Sequence, residues 1–484
     1  MEFWNQLWAG QMCSSLKGIG GKQSKSICLV LKRICKHTDV GDENFILRGI
    51  RKQLWDSTDL LEHVLPQMKS LNRFLLPVLF LSTGILFAQH ETCELTPKTH
   101  VLHVNHIRAH LSNRGHQFSG DRNRGFQVPY RGQETPSAFF IDNLWIAGFD
   151  SDANLLEKIP DYPSHEYCGY APGPIDLDDP LQTARQWNKI FSVRRDQILA
   201  HIEDYSDGII DDHQADIFGW PAKGNVFFEA YNGFELHPDV IEYGGFHETP
   251  GNQNGIYEPH LGEYPLPEGV NENAIPSETI YRLICTLSGD KVDWEVPLAD
   301  VHHTTYAYNC DDELLNHSLF SQYRVVNRSS DTLYQCRIGW FADVNIGNPF
   351  DDYFGCDPEN QVVYFYNTDN VDEDIRHPGY GQNPPVVSMT ILGEEQKLHS
   401  VMPLFRGDSF PIPLNGYPLL NATWPDGTPL TQDGTGYNPG STDSVNYAFT
   451  DVPDTSRGWS MLAEKINQYQ ATCIISTIPE KGGS

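Results

Sequence analysis

Three stretches of the chain gather side-chain oxygens at spacings suited to a hard divalent cation. Calcium takes roughly six to eight oxygen ligands from a flexible loop, commonly Asp or Asn at alternate positions with Gly at the sharp turn. In DYSDGIIDDHQAD, Asp204, Asp207, Asp211 and Asp212 crowd around Gly208. Facing inward, these carboxylates would repel one another and favour a bound cation; facing outward, they make a solvated helix end and turn. In PGNQNGIYEPHLGEYP, Asn252 and Asn254 alternate ahead of Gly255. The third set is Asp343, at the end of a strand-like run, with Asp351 and Asp352 beyond a loop holding Gly347 and Pro349. It suits a cation site or the rim of a sugar site, and equally the turn-capping role that Asp readily takes. Calcium is the one cofactor these patterns point to.

His100, His103, His106, His110 and His116 are dense enough to raise transition-metal binding. On a strand, His106 and His110 would share a face but lie about 13 Å apart, too far for one ion. His302 and His303 are adjacent and would point to opposite faces. Neither set forms a tight metal motif, so they read as ordinary polar histidines. No G-x-S-x-G elbow, H-E-x-x-H pair or phosphate-binding loop occurs, and no catalytic residue is assigned. Glycosidases use two carboxylates about 5–10 Å apart. That relation is invisible in a sequence with 64 Asp and Glu.

The elements that must position these residues are mostly short, aromatic or β-branched stretches separated by turn-rich clusters. Examples are SAFFIDNLWIAGF (137–149), NVFFEAYNGF (225–234), ETIYRLICTL (278–287), QVVYFYN (361–367) and VVSMTIL (386–392). The expected class is mainly β, with antiparallel, sandwich-like domains, long loops and one or two short helices. SLFSQYRVV (318–326) and the run from Leu333 to Ala342 are expected to form a hairpin through NRSSDT. Helical spacing is confined to Thr183–Tyr205, either as one helix or as two broken near Ser192, with Thr183 and Gln186 as a capping box. A domain division is placed near residue 297, giving 89–297 and 298–484. Residues 407–440, dense in Pro, Gly, Asn and Asp, read as loop.

Residues 68–89, MKSLNRFLLPVLFLSTGILFAQ, hold a basic start, an apolar core and a small residue at the cut, the three parts of a secretion signal. Cleavage is expected after Ala88, although Leu86 is bulkier than ideal; the alternative is retention as an uncleaved anchor. Residues 1–67 then stand upstream of a complete signal and read as a spurious extension, or, with an anchor, as a cytoplasmic head. Their nine Lys/Arg against seven Asp/Glu contrast with 23 against 57, a balance of −34, in residues 89–484. Such acidity excludes a nucleic-acid or anionic-lipid binder, since both need a basic footprint. No membrane span is expected after cleavage. Cys93, Cys168, Cys285, Cys310, Cys336, Cys356 and Cys473 are free to form bridges outside the cytoplasm, and their odd number leaves at least one unpaired.

The strings VPYRGQETPSAFFIDNLWIAG (128–148), IFGWPAKGN (217–225), NQNGIYEPHLGEYP (252–265), GWFADVNIGNPFDDYFGCDPENQVVYFYN (339–367), WPDGTPLTQDGTGYNPG (424–440) and RGWSM (457–461) accumulate in order. Together they resemble a group of large secreted and surface proteins of Bacteroidota-type bacteria, exported by Sec and then by the type IX secretion system. The likeness spans most of residues 100–461 and implies an extracellular location more than an activity. The group's D-x-N-x-D-G-x-Y loop has Pro250 here in place of its first Asp and Asn254 in place of the second. Proline offers no side-chain oxygen, so the comparison implies weakened metal binding or a plain structural turn. Members usually continue past the GWSM-like string to a sorting domain, which is absent before Ser484. The comparison therefore implies a truncated frame or a released product. The expected function is a secreted or cell-surface β protein of structural, adhesive or ligand-binding type, stabilised by calcium, with an extracellular glycan or surface protein as partner. The rival is an extracellular polysaccharide-acting hydrolase using Trp145, Trp220 and Trp340 to stack sugars.

Overall fold

The computed structural model describes residues 95–119, 125–158, 170–287, 297–373, 379–393, 396–404, 416–453, 458–466 and 471–479. The expected extension (1–67) and signal (68–88), with Cys93 and Cys168, lie outside them. The protein is mainly β, and its antiparallel sheets are arranged like a four-bladed propeller with few short helices.

β1 (Thr99–Leu102), β2 (Arg108–Ser112) and β4 (Phe126–Gln127) form a small sheet, while β3 (His116–Gln117) joins a larger one. That larger sheet runs in the order β20-β21-β14-β5-β3, with β6 (Leu155–Lys158) also paired to β5. Its members are β5 (Ile141–Phe149), β14 (Tyr334–Val344), β20 (Leu398–Pro403) and β21 (Ala471–Thr477). β5, IDNLWIAGF, is buried along nearly its whole length, which is why it reads as an almost continuous apolar run. Its alternate residues serve two cores: Trp145 and Ala147 enter one, Leu144 and Ile146 the other.

The second core is shared with a sheet made of β7 (Tyr170–Pro172), β8 (Phe191–Arg194), β11 (Glu278–Leu287), β12 (Pro297–Ala307) and β13 (Phe320–Asn327). The first core also takes in β15 (Asp352–Asp357), β16 (Val362–Asn367) and β19 (Val387–Thr390), which form a three-stranded sheet. β17 (Val371–Asp372) pairs with β18 (Gly381–Gln382). A third core, from Trp187 to Leu283, packs the insertion between β7 and β11 around Tyr281 and Leu283 of the five-stranded sheet. The insertion holds α1 (Pro180–Gln186), α2 (Arg195–Asp204), α3 (Ala215–Phe218) and α4 (Phe228–Asn232), besides β9 (Phe246–His247) and β10 (Tyr264–Pro265).

Several expectations need correction. The run 318–326 does not pair with 333–342: β13 pairs with β12, whereas β14 lies between β5 and β21 and has both edges taken. The polar segment NRSSDT carries the chain from one sheet to another. NVFFEAYNGF is not a strand; Asn232-Gly233 ends α4, with Gly233 in the left-handed conformation at φ +79°. The helical stretch 183–205 takes the second of its two expected forms, two helices broken around Ser192, with β8 between them and a cap other than the expected Thr183–Gln186 pair. Asp179 caps α1 ahead of Pro180, and the Gln197 side chain accepts the Arg194 amide at 2.9 Å at the start of α2. Residue 297, near which the division is placed, opens β12, which pairs with β11 along its length. Among the described residues, Cys285, Cys310, Cys336, Cys356 and Cys473 are unbridged. No helix among them is long and apolar enough to cross a membrane.

Candidate metal centre

The loop between β9 and β10 brings the two asparagines of the second stretch against acids not singled out in the sequence. One nitrogen of Asn252 donates both to Glu258 Oε2 and to Glu263 Oε1, each at 2.9 Å, and Asn254 Nδ2 donates to the same Glu258 oxygen at 2.8 Å. Glu248 closes the loop from the other side by accepting the Gly255 amide at 2.6 Å. Local sequence dictates this path. Gly251, Gly255 and Gly262 take φ of +93°, +72° and +83°, conformations that side chains with a Cβ resist. Pro259 opens the short 3-10 turn Pro259–Leu261, and Tyr257 anchors the centre by donating from its buried hydroxyl to the Ile217 carbonyl at 2.9 Å. The Thr249 hydroxyl donates to the Leu261 carbonyl at 2.7 Å, pinning the entrance to the exit.

Glu263 is fully buried, and burial raises its carboxyl above the usual range, against the Glu258 amide and the Asn252 side chain that pull it down. Glu258 is held below its usual range by the Asn252 and Asn254 amides. A neutral amide group therefore occupies the space between two acids, where a positive charge would be worth more. Asn254 keeps its Oδ1 on the Ile256 amide at 2.8 Å. Asn252 turned end for end would present Oδ1 to that space, and with Glu258 and Glu263 would offer three hard oxygens and two negative charges, donors of the kind calcium takes.

The third stretch is brought together more deeply. Asp343 and Asp352 are 1% exposed and are joined by Asp372, 0% exposed, from β17. Asp372 is satisfied by backbone: Asn348 N donates to Oδ1 at 2.9 Å, and Tyr380 N donates to Oδ2. Gly347, at φ +71°, makes room for it, since a Cβ there would stand 2.0 Å from Asp372 Oδ2. Asp352 accepts the Ile346 amide at 2.7 Å through Oδ2, while its Oδ1 is buried with no hydrogen-bond partner, as are Asp351 Oδ1 and Asn345 Oδ1. Burial pushes the Asp352 carboxyl well up, helped by the charges of Asp351, Asp372 and Asp343. No three of these acids bring one oxygen each within 4.8 Å of one another, so the group is a set of buried turn ligatures rather than a closed cation cage. Asp204, Asp207, Asp211 and Asp212 do not converge either. Asp204 Oδ2 accepts the amides of Asp211 and Asp212, both at 2.9 Å, Asp207 accepts that of Ile209, and the last three acids are exposed.

Of the aromatic platform, Trp145 and Trp220 are 1% exposed and belong to cores, and Trp340 is partly buried against Tyr323 at 5.7 Å. The hydrophobic area of Trp145 and Trp220 is consumed inside the fold. Glu258 and Glu263 lie in the same stretch, PGNQNGIYEPHLGEYP, six and eleven residues beyond Asn252, outside the alternating spacing that marks the asparagines. No protein-family model, no curated protein and no solved structure matches this chain.

Proposed function

We propose that the protein is an exported β protein of structural, adhesive or ligand-binding type, held in its working form by calcium at the Asn252, Asn254, Glu258 and Glu263 loop. The observation that carries this reading is the single Asn252 amide nitrogen shared at 2.9 Å by two carboxylates, one of them fully buried. The excess of 64 Asp and Glu over 34 Lys and Arg suits an environment rich in divalent cations. The loop ties β9 to β10 and rests on α3 through Tyr257, so an ion there would stiffen the surface of the insertion rather than perform chemistry.

Thermal unfolding of the full chain with calcium and with a chelator tests the proposal. A ligand bound by the native state alone raises stability by about 2.7 kcal/mol at a hundredfold excess over Kd. Calcium is expected to raise Tm in the parent, and Asn252→Ala and Glu263→Gln are expected to remove that rise. A parent Tm indifferent to millimolar calcium contradicts the reading.

A further inference from the structure

We infer that His106, His317 and Glu313 form a second, chemically different metal site, one that takes a borderline divalent transition ion such as zinc. Among the described residues this is the only group of three His, Cys, Asp or Glu side chains that brings one ligand atom each within 4.8 Å of the others. It does not depend on the calcium reading.

The spacing of the two imidazole nitrogens matches one edge of a zinc tetrahedron. His106 Nδ1 and His317 Nε2 stand 3.2 Å apart. With zinc–nitrogen bonds of about 2.0–2.1 Å, the edge of a tetrahedron is about 3.3 Å. Glu313 Oε2 lies 3.8 Å from His106 Nδ1 and 3.7 Å from His317 Nδ1, and its side chain is 78% exposed and free to swing the remaining distance. The other nitrogen of His317 is already engaged: Nδ1 donates to the Glu313 carbonyl at 2.8 Å. That bond places the lone pair on Nε2, facing His106, which is the outer-shell arrangement that metal-bound imidazoles use.

The backbones carrying the ligands are fixed without the ion. Glu313 opens the one-turn helix α5 (Glu313–Asn316), which Asp312 caps by accepting the Leu314 and Leu315 amides at 2.8 and 3.2 Å. His317 follows directly, four residues after Glu313 and on the same face. The turn between β1 and β2 is tied to this helix: His106 N donates to the Asn316 carbonyl at 3.0 Å, and Asn105 Nδ2 donates to the Ser318 carbonyl at 3.0 Å. Two imidazoles and one carboxylate favour zinc, copper or nickel over calcium, and three protein ligands leave a position for solvent or a partner's side chain. Bound there, the ion would staple the β1–β2 turn to a segment some two hundred residues away in the chain.

Zinc titration of the full chain against a chromophoric chelator, with cobalt as a spectroscopic stand-in, tests the site. The parent is expected to take up one zinc here that excess calcium does not displace, and the cobalt form to show the visible ligand-field bands of a low-coordinate site. His106→Ala and His317→Ala should each weaken binding roughly tenfold or more, and His106→Gln should do the same with its polarity kept. All three should unfold like the parent in chelator, because both histidines are partly exposed. Asn252→Ala should leave zinc uptake unchanged, which separates this site from the calcium loop. Zinc affinity undiminished in the His106→Ala/His317→Ala double variant, or no uptake by the parent in zinc excess, overturns the inference.

Discussion

Asp142 sits on β5 facing the core shared with the five-stranded sheet, and burial lifts its carboxyl to about 7. Asp300 on β12 is likewise raised by burial, to about 6, although the Arg328 guanidinium lies 3.6 Å away and pulls it down. Both groups would titrate near 3.9 in the unfolded chain. Their contribution to stability is therefore complete below about pH 4 and is lost as pH rises towards 7, each unit of upward displacement costing about 1.4 kcal/mol above it. Urea unfolding between pH 4 and 8 in chelator should show this decline, and Asp142→Asn should flatten part of it; an unchanged slope in the variant would refute the assignment. Gly347→Ala is expected to cost at least about 1–3 kcal/mol, because it forces a Cβ into the left-handed region and against Asp372. Denaturant midpoints measure that loss. The sequence grouped Asp343, Asp351 and Asp352, since they follow one strand, but not Asp372, which arrives on a separate strand. It missed the His106 partnership for the same reason: His317 is 211 residues away.

Among the elements, strands rich in aromatic and β-branched residues were the most legible. The strand stretches 137–149, 278–287, 361–367 and 386–392 contain β5, β11, β16 and β19. Pairing was not legible, because β13 and β14 are both strands and only the tertiary fold assigns their edges to different sheets. NVFFEAYNGF misled because its aromatic residues suit a strand, while Asn232-Gly233 carries the helix-ending signal. The insertion depends on Trp187, which is 2% exposed and stacks on Tyr243 at 5.7 Å and on Phe228 at 5.8 Å. Trp187→Ala should lower stability by about 3–5 kcal/mol, read as a fall in the unfolding midpoint. If α1 and its neighbours are held mainly by their caps instead, the loss will be nearer 1 kcal/mol.

For the whole molecule, the class was legible because short β-rich runs and dense turn clusters leave few other architectures. The site was half legible: the asparagines stood out through their alternation ahead of Gly255, and the acids that face them come from farther along the same loop. Fractionation of a bacterial host making the tagged chain from Met68 should recover it outside the cytoplasm, and retention in the cytosol would contradict the export reading. The most direct test of the central claim is a calorimetric calcium titration of the full chain. Calcium is expected to fill a saturable site that Asn252→Ala and Glu263→Gln abolish; an isotherm identical in the parent and both variants would show that this loop does not hold the ion.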